Sequence, residues 1–143
     1  MNAISLKGIG AGTLAALILF IPVNILFGYY FLAVFGQFAP GVDLANEAEV
    51  QKLVSRSLYN PPTIIFGAIA IFITVGIPAY VAALIAGRAF IFHAMTIGGI
   101  VSLLCLTEWE LVVQFPVLFV AVVGFSMAVA YVAGYLRQKQ VLN

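Results

Sequence analysis

Four long stretches of this 143-residue chain are almost free of charged side chains, and this pattern restricts the fold more than any other feature. The stretches run from about 9 to 38, 61 to 87, 89 to 106 and 108 to 136. About 20 apolar residues suffice to cross the hydrocarbon core of a bilayer. Each stretch is therefore expected to cross a membrane once, with residues 39 to 60 as the only long connection.

The composition agrees with a membrane protein. Charged residues make up 8% of the chain, whereas soluble domains contain about 25%. The sequence thus predicts one all-α domain, an integral membrane four-helix bundle surrounded by lipid and lacking a separate soluble module. The net charge of +1 and the lack of any basic run give no indication of nucleic-acid binding.

The charged residues between the stretches are sorted by sign. One side of the predicted membrane holds four basic residues and no acid, namely Lys7, Arg88, Arg137 and Lys139. The other side holds all five acids, Asp43, Glu47, Glu49, Glu108 and Glu110, with only Lys52 and Arg56 as bases. Because cytoplasmic loops carry the excess of Lys and Arg, both termini are expected in the cytoplasm. We expect the inner membrane of a bacterial or archaeal cell.

The long connection carries the signature of a short amphipathic helix, at about residues 44 to 58. Asp43 and Asn46 are both good N-cap residues, and Glu49 stands three residues after Asn46 in the capping-box position. Apolar residues recur with helical spacing at Val50, Leu53, Val54 and Leu58, and Glu49, Lys52 and Arg56 fall on the opposite face. This helix is expected at the outer interface, covering the ends of the other helices or, alternatively, docking a second protein.

Polar or helix-breaking residues inside the stretches are the candidate functional positions. They are Pro22, Asn24, Thr74, Gly76, Pro78, His93, Gln114 and Pro116. Pro22 and Pro78 remove helical donors, and Pro78 crowds the carbonyl of Thr74, so kinks are predicted at both. Asn24 is expected to form a buried hydrogen bond between helices, with a ligand or ion contact as the alternative. Gln114 and Pro116 predict a polar, bent outer half of the fourth span.

His93 is the only histidine in the chain. A single imidazole without further ligands is not a metal site, so we expect it to be hydrogen-bonded at the cytoplasmic edge. A proton relay is the alternative interpretation.

Two structural roles are predicted for the remaining patterns. In the segment from Thr107 to Glu110, Glu110 is expected to cap the fourth span. Small residues allow close approach of helix backbones in lipid. Such contacts are expected at Gly8 and Gly12, with fraying of the first helical turn as the alternative. They are also expected along two faces, which form either the core of the bundle or a seam between copies and comprise Ala79, Ala83, Gly87, Gly124, Ala128 and Gly134.

No catalytic, cofactor-binding or metal-binding pattern is recognisable in the sequence. We therefore expect no enzymatic activity and no cofactor. The leading hypothesis is a small membrane protein that serves as an accessory or assembly subunit of other membrane proteins, or as a homo-oligomeric structural component. The alternative is a minimal oligomeric transporter or channel for a small solute, built around the broken positions near Asn24 and Thr74.

Overall fold

The computed structural model describes residues 4 to 107 and 109 to 143, giving the backbone alone for residues 107 and 109 to 111. This part of the chain is all-helical and contains no strand. The helices are α1 (Leu6–Phe38), α2 (Glu47–Leu58), α3 (Pro61–Ile71), α4 (Ile77–Ala86), α5 (Phe90–Leu104), α6 (Trp109–Gln114) and α7 (Pro116–Leu142). A π-helical segment, Phe72–Gly76, joins α3 to α4, and a 3₁₀ turn, Cys105–Thr107, follows α5.

Three of the described helices are long and apolar enough to cross a membrane. They are Leu6–Phe38, Pro61–Ala86, which includes the π segment, and Pro116–Leu142. The remaining apolar helix, Phe90–Leu104, has 15 residues and spans about 22 Å at 1.5 Å per residue. It is thus shorter than the hydrocarbon core of about 30 Å, and the structure supports a membrane protein more firmly than a bundle of four spans.

The chain divides into two compact units. The first contains the chain up to Phe20 together with Ile71–Asn143, and the second contains Ile21–Ala70. We call them the small-residue unit and the aromatic unit after the side chains that hold each together. The division falls beside Pro22 in α1 and beside the π segment in the span Pro61–Ala86.

Close backbone contacts fill the core of the small-residue unit. A Cβ atom added at Gly8 would lie 2.8 Å from the carbonyl oxygen of Ala82, and one at Gly12 would lie 2.6 Å from the Cβ atom of Ala82. The predicted close packing at these two glycines is therefore confirmed. Further contacts surround this point, because the core includes Ala16, Val75, Ala79, Ala82, Ala83, Ala94, Ile97, Val101, Val129, Ala130 and Ala133.

The predicted small-residue face of α7 is correct at one end only. A Cβ atom at Gly134 would lie 2.7 Å from the Cα atom of Ile91, so this glycine meets the backbone of α5. Gly124 has nothing within 4 Å, and Ala128 is exposed. A place for Gly124 and Ala128 in the core of the chain is therefore wrong, whereas a seam between copies of the chain stays a prediction. The buried face of α7 is rotated away from them because Ser126, Val129, Ala130 and Ala133 turn inward instead.

Aromatic rings hold the second unit together. Tyr30 on α1 stacks on Phe66 of α3 with ring centroids 4.6 Å apart, and Phe27 lies 5.9 Å from the same ring. The guanidinium of Arg56 on α2 lies 4.6 Å from the ring centroid of Phe38. Offset stacks and cation–π contacts of this kind each contribute about 1 kcal/mol. They fix α1, α2 and α3 to one another within the unit.

The amphipathic helix is present as α2. Leu53 is buried, whereas Lys52 and Arg56 are exposed, as the predicted faces require. The side chain of Asn46 accepts a hydrogen bond from the backbone N–H of Ala48, so Asn46 is the N-cap.

Glu49 does not close the predicted capping box. Its carboxylate accepts from the backbone N–H of Asp43 at 2.8 Å. The N–H of Asn46, which the capping box would use, already donates to the carbonyl of Asp43 at 3.0 Å. Glu49 therefore stabilises the turn that precedes α2 and does not bond to the N-cap residue.

The fourth stretch is two helices and not one uninterrupted span. The chain leaves the helical conformation at Phe115, whose φ is −130° and ψ is 60°. The residue before a proline is driven out of the α region, and Pro116 can begin a helix because its missing donor is unsatisfied there anyway. The second helix continues to Leu142, beyond the predicted end at 136. The predicted capping role of the Glu110 side chain lies outside the described side chains.

Candidate functional site

The widest irregularity in the described helices is the π segment, and it lies at three of the predicted positions. Thr74 and Gly76 belong to the segment, and Pro78 follows two residues later. In an α-helix the N–H of residue 78 would bond to the carbonyl of residue 74, and proline has no such donor. A π turn bonds residues five apart instead. The wider turn moves the hydrogen bonding away from the position that proline leaves empty.

These three positions lie inside the small-residue unit. Thr74 and Pro78 are buried, and a Cβ atom added at Gly76 would lie 3.2 Å from a side-chain methyl of Val129 on α7. The structure thus brings Thr74, Gly76 and Pro78 together at a tight contact between two helices. A buried threonine in a widened helix can change its hydrogen-bond partner, and π turns are frequent at functional sites.

His93 is fully buried near the start of α5, and both of its ring nitrogens face backbone groups. Nδ1 lies 2.9 Å from the carbonyl oxygen of Ala89, and Nε2 lies 2.9 Å from the backbone nitrogen of Ser5. A carbonyl can only accept and an amide N–H can only donate. The partners therefore assign a neutral ring with the proton on Nδ1. His93 is thus hydrogen-bonded as expected, and its position at the cytoplasmic edge stays a prediction.

Ser5 is the N-cap of α1. Its hydroxyl accepts from the backbone N–H of Gly8 at 3.2 Å, three residues into the helix. In a capping box, a glutamate at that third position would accept the N–H of the cap residue itself. Here His93 accepts it from another helix. The histidine thus completes the cap of α1 across the fold.

The turn between α4 and α5 is strained where His93 holds it. Gly87 adopts a φ of 69° and ends α4 in the left-handed conformation that glycine tolerates. Ala89 also has a positive φ, 47°, which costs a residue with a Cβ atom about 1 to 2 kcal/mol. The Ala89 carbonyl accepts from both the ring and the backbone N–H of His93. These two bonds offset the strain.

A cleft of about 460 Å³ opens beside this turn. It is lined by Gly87, Arg88, Ala89, Phe90, Ile91, Phe92, Gln138, Val141 and Leu142. The cleft is mostly apolar, and Arg88 is its only charged residue. Among the described residues, no group of three or more His, Cys, Asp or Glu side chains stands close enough to hold a metal ion.

Two predicted positions lie in the aromatic unit, on α1. The chain is helical on both sides of Pro22. Asn24 is exposed at the surface of the chain instead of lying at the buried position expected for it. The reason is that the neighbouring contacts of α1 in this unit are made by Phe27, Tyr30 and Val34, which lie on another face of the helix.

The last two predicted positions flank the break between α6 and α7. Gln114 and Pro116 are both exposed, whereas Phe115 between them is buried. This arrangement matches the predicted bend. Pro116 is sufficient to explain the break in the helix at Phe115.

Comparison with known proteins identifies no relative. No family model matches the sequence, and neither a curated protein nor a solved structure matches it at a significant level. Function is therefore argued from the geometry of this chain.

Sequence reasoning missed two residues of the His93 arrangement, Ser5 and Ala89. Ser5 carries a local signal, because a serine directly before an apolar helix is a preferred N-cap. Ala89 carries none, because alanine is not a residue type that favours positive φ. The pairing of Ser5 with His93 joins residues 88 positions apart, and no spacing rule connects them.

Proposed function

We propose that this protein is a non-catalytic membrane protein of four spans with both termini in the cytoplasm, and that it acts by lateral association. It serves as an accessory or assembly subunit of another membrane protein, or it assembles with copies of itself. In this proposal α5 crosses as a short fourth span, which local thinning of the bilayer accommodates.

The coverage of α1 is the observation that carries the proposal. In its most apolar 18-residue window, 6% of residues are buried, against 33% for Pro61–Ala86 and 28% for Pro116–Leu142. The longest described helix is therefore the least covered by its own chain. A helix that contributes so little to the interior of its fold is well suited to packing against a second protein.

The exposed face of α1 also carries a group that lipid does not favour. Asn24 lies near the middle of the helix, among exposed Ile25, Leu26 and Tyr29. A carboxamide has two donor hydrogens and an acceptor oxygen, and polar groups at membrane depth usually face protein rather than acyl chains. Hydrogen bonds of this kind between helices contribute about 0.6 to 2 kcal/mol. Asn24 is therefore the expected centre of the association surface.

The test is the mass of the assembly in native lipid nanodiscs, compared between the natural chain and Asn24→Leu. We expect the natural chain to emerge with a stoichiometric partner or in more than one copy. Asn24→Leu keeps the volume, removes the amide and should shift the population toward the single chain. Ile69→Leu, at an exposed position of α3, is the matched control and should change nothing. A natural chain that is strictly monomeric and without partner would contradict the proposal.

A small-solute transporter or channel is the second candidate, and the π segment favours it. Buried Thr74 beside a widened turn and Pro78 resembles the interrupted helices that line transport pathways. Solute flux into proteoliposomes tests this function. Thr74→Val should reduce flux and lower the free energy of unfolding by no more than about 1 kcal/mol, the usual contribution of one hydrogen bond. The absence of flux for small polar solutes with the natural chain would exclude this function.

A further inference from the structure

We propose that His93 is a proton-sensitive latch that holds the N-terminal end of α1 against α5. The latch is closed while the imidazole is neutral and opens when the ring takes up a second proton. This inference is independent of the proposed lateral association, since it concerns contacts within the small-residue unit.

The geometry of the ring makes the latch depend on protonation. Nε2 accepts the backbone N–H of Ser5 at 2.9 Å, and it can accept only through its unshared electron pair. A proton on Nε2 would occupy that pair and place one N–H group against another. Nδ1 cannot take up the second proton instead, because it already carries the hydrogen that it donates to the Ala89 carbonyl. Rotating the ring by half a turn about the Cβ–Cγ bond would place carbon atoms where the two nitrogens lie, so no ring acceptor would face the Ser5 amide.

Because the ring is buried, water cannot solvate the charge of a protonated His93. His93 has no exposed surface, and the ring of Phe92 lies edge-on to it with centroids 5.6 Å apart. A buried charge without a partner is costly, and the usual response of the structure is to expose or neutralise it. Here exposure requires the Ser5 end of α1 to move away.

The charged groups near the latch in the chain do not favour an imidazolium. The titratable side chains on the described segments that pack in this unit with α5 are Lys7, Tyr80, Arg88, Cys105, Tyr131, Tyr135, Arg137 and Lys139. None of these is a carboxylate. Glu108 and Glu110 follow the opposite end of α5 in the sequence. The described side chains of this unit therefore offer no carboxylate as a counter-ion for a protonated His93.

Opening the latch has a local consequence for α1. Ser5 caps the helix through Gly8, and Gly8 in turn lies against the Ala82 carbonyl. Releasing the Ser5 amide loosens the first turn of α1 and the close contact of Gly8 that follows it. The two bonds that the Ala89 carbonyl accepts are kept, because a proton on Nε2 leaves the Nδ1 hydrogen and the backbone N–H of His93 in place.

The experiment uses the fact that the chain has one histidine. Histidine labelled with ¹⁵N gives the tautomer and the protonation of this ring alone in nanodisc-embedded protein. Hydrogen exchange of the peptide that includes residues 4 to 8, corrected for intrinsic rates, reports the latch in the same samples. Both are followed from pH 8 to pH 5, the range in which imidazoles commonly titrate.

We expect the Nδ1–H tautomer at pH 8 and about tenfold faster exchange of the N-terminal amides once the ring is protonated, as for the loss of one hydrogen bond. His93→Gln keeps an acceptor but cannot titrate, so its exchange should not change with pH. An Nε2–H tautomer at pH 8, a ring that stays neutral to pH 5, or protection that survives protonation would each overturn the latch. The first two are measured on the natural chain and remain decisive if the variant does not fold.

Discussion

The two units of this chain hold their helices together by opposite means. In the small-residue unit, glycine and alanine let backbones approach until an added Cβ atom would lie less than 3 Å from its neighbour, as at Gly12 and Gly134. In the aromatic unit, rings such as Tyr30 and Phe66 keep the helices apart and bind through their faces. Lipid removes the hydrophobic force between helices. The chain therefore relies on two other sources of attraction, close van der Waals contact and ring stacking.

The comparison predicts different tolerance to added bulk, and this gives the largest expected effect. Gly134→Leu should destabilise the protein by about 3 kcal/mol, because its side chain would collide with the backbone of Ile91. Gly124→Leu is the matched control on the same helix, where nothing lies within 4 Å, and should cost almost nothing. Thermal unfolding in detergent measures both. Equal losses for the two variants would remove the distinction between the buried and exposed faces of α7.

In the aromatic unit, loss of a ring should matter more than loss of volume. Phe66→Leu keeps an apolar side chain but removes the stack on Tyr30 and the contact with Phe27, at a cost of about 1.5 kcal/mol. Ile65→Leu, at the exposed neighbouring position, is the control. The same thermal measurement applies. A change as small as that of the control would mean that the rings merely fill space.

One substitution should stabilise the aromatic unit. The Thr63 hydroxyl is buried and has no hydrogen-bond partner. Thr63→Val replaces it with a methyl group of similar shape and should raise stability by about 1 kcal/mol, since a buried hydroxyl without a partner is costly. Ser57→Ala should instead lower stability, because the Ser57 hydroxyl donates to the Leu53 carbonyl at 2.9 Å. Stabilisation by Ser57→Ala but not by Thr63→Val would contradict this account.

The smallest expected effect concerns the only cation–π contact among the described residues. Arg56→Gln should weaken the attachment of α2 by about 0.5 kcal/mol, because the guanidinium lies over the Phe38 ring at an exposed position. Proteolysis within α2 is a sensitive readout of this local loss. Lys52→Gln, also exposed on α2, serves as the control. Faster cleavage of the control than of the Arg56 variant would show that charge alone matters.

Local rules predicted the features that depend on a few neighbouring residues. The faces of α2 and the tight contact at Gly8 follow from spacing and residue type. Gly87 was expected at a close contact, but nothing lies within 4 Å of it, and it ends α4 in the left-handed conformation. The inward face of α7 did not follow, because both Gly124 and Gly134 stand in runs of small residues and only the partner helix distinguishes them. Burial of Asn24 was expected from the cost of an amide in lipid, but Asn24 is exposed, because the face that α1 turns toward its neighbours is set by tertiary packing and not by local sequence.

The candidate site was less predictable for a geometric reason. Pro78 predicts an irregular helix, but the sequence does not determine whether the irregularity is a bend or a π turn. The cap formed by His93 on Ser5 depends on two distant segments meeting. Such pairs are visible only when the fold is known.

The wider turn before Pro78 also affects the direction of the rows of buried residues along this helix. Buried positions recur every four residues through Thr74, Pro78 and Ala82, and again through Val75, Ala79 and Ala83. In a regular α-helix, four residues turn about 40° beyond a full circle, so such a row would wind around the axis. A π turn needs more residues for each circle and takes up part of this excess. Deleting one residue between Phe72 and Gly76 would restore regular winding in this segment and shift Thr74 and Val75 by about 100° from the buried row that continues on α4.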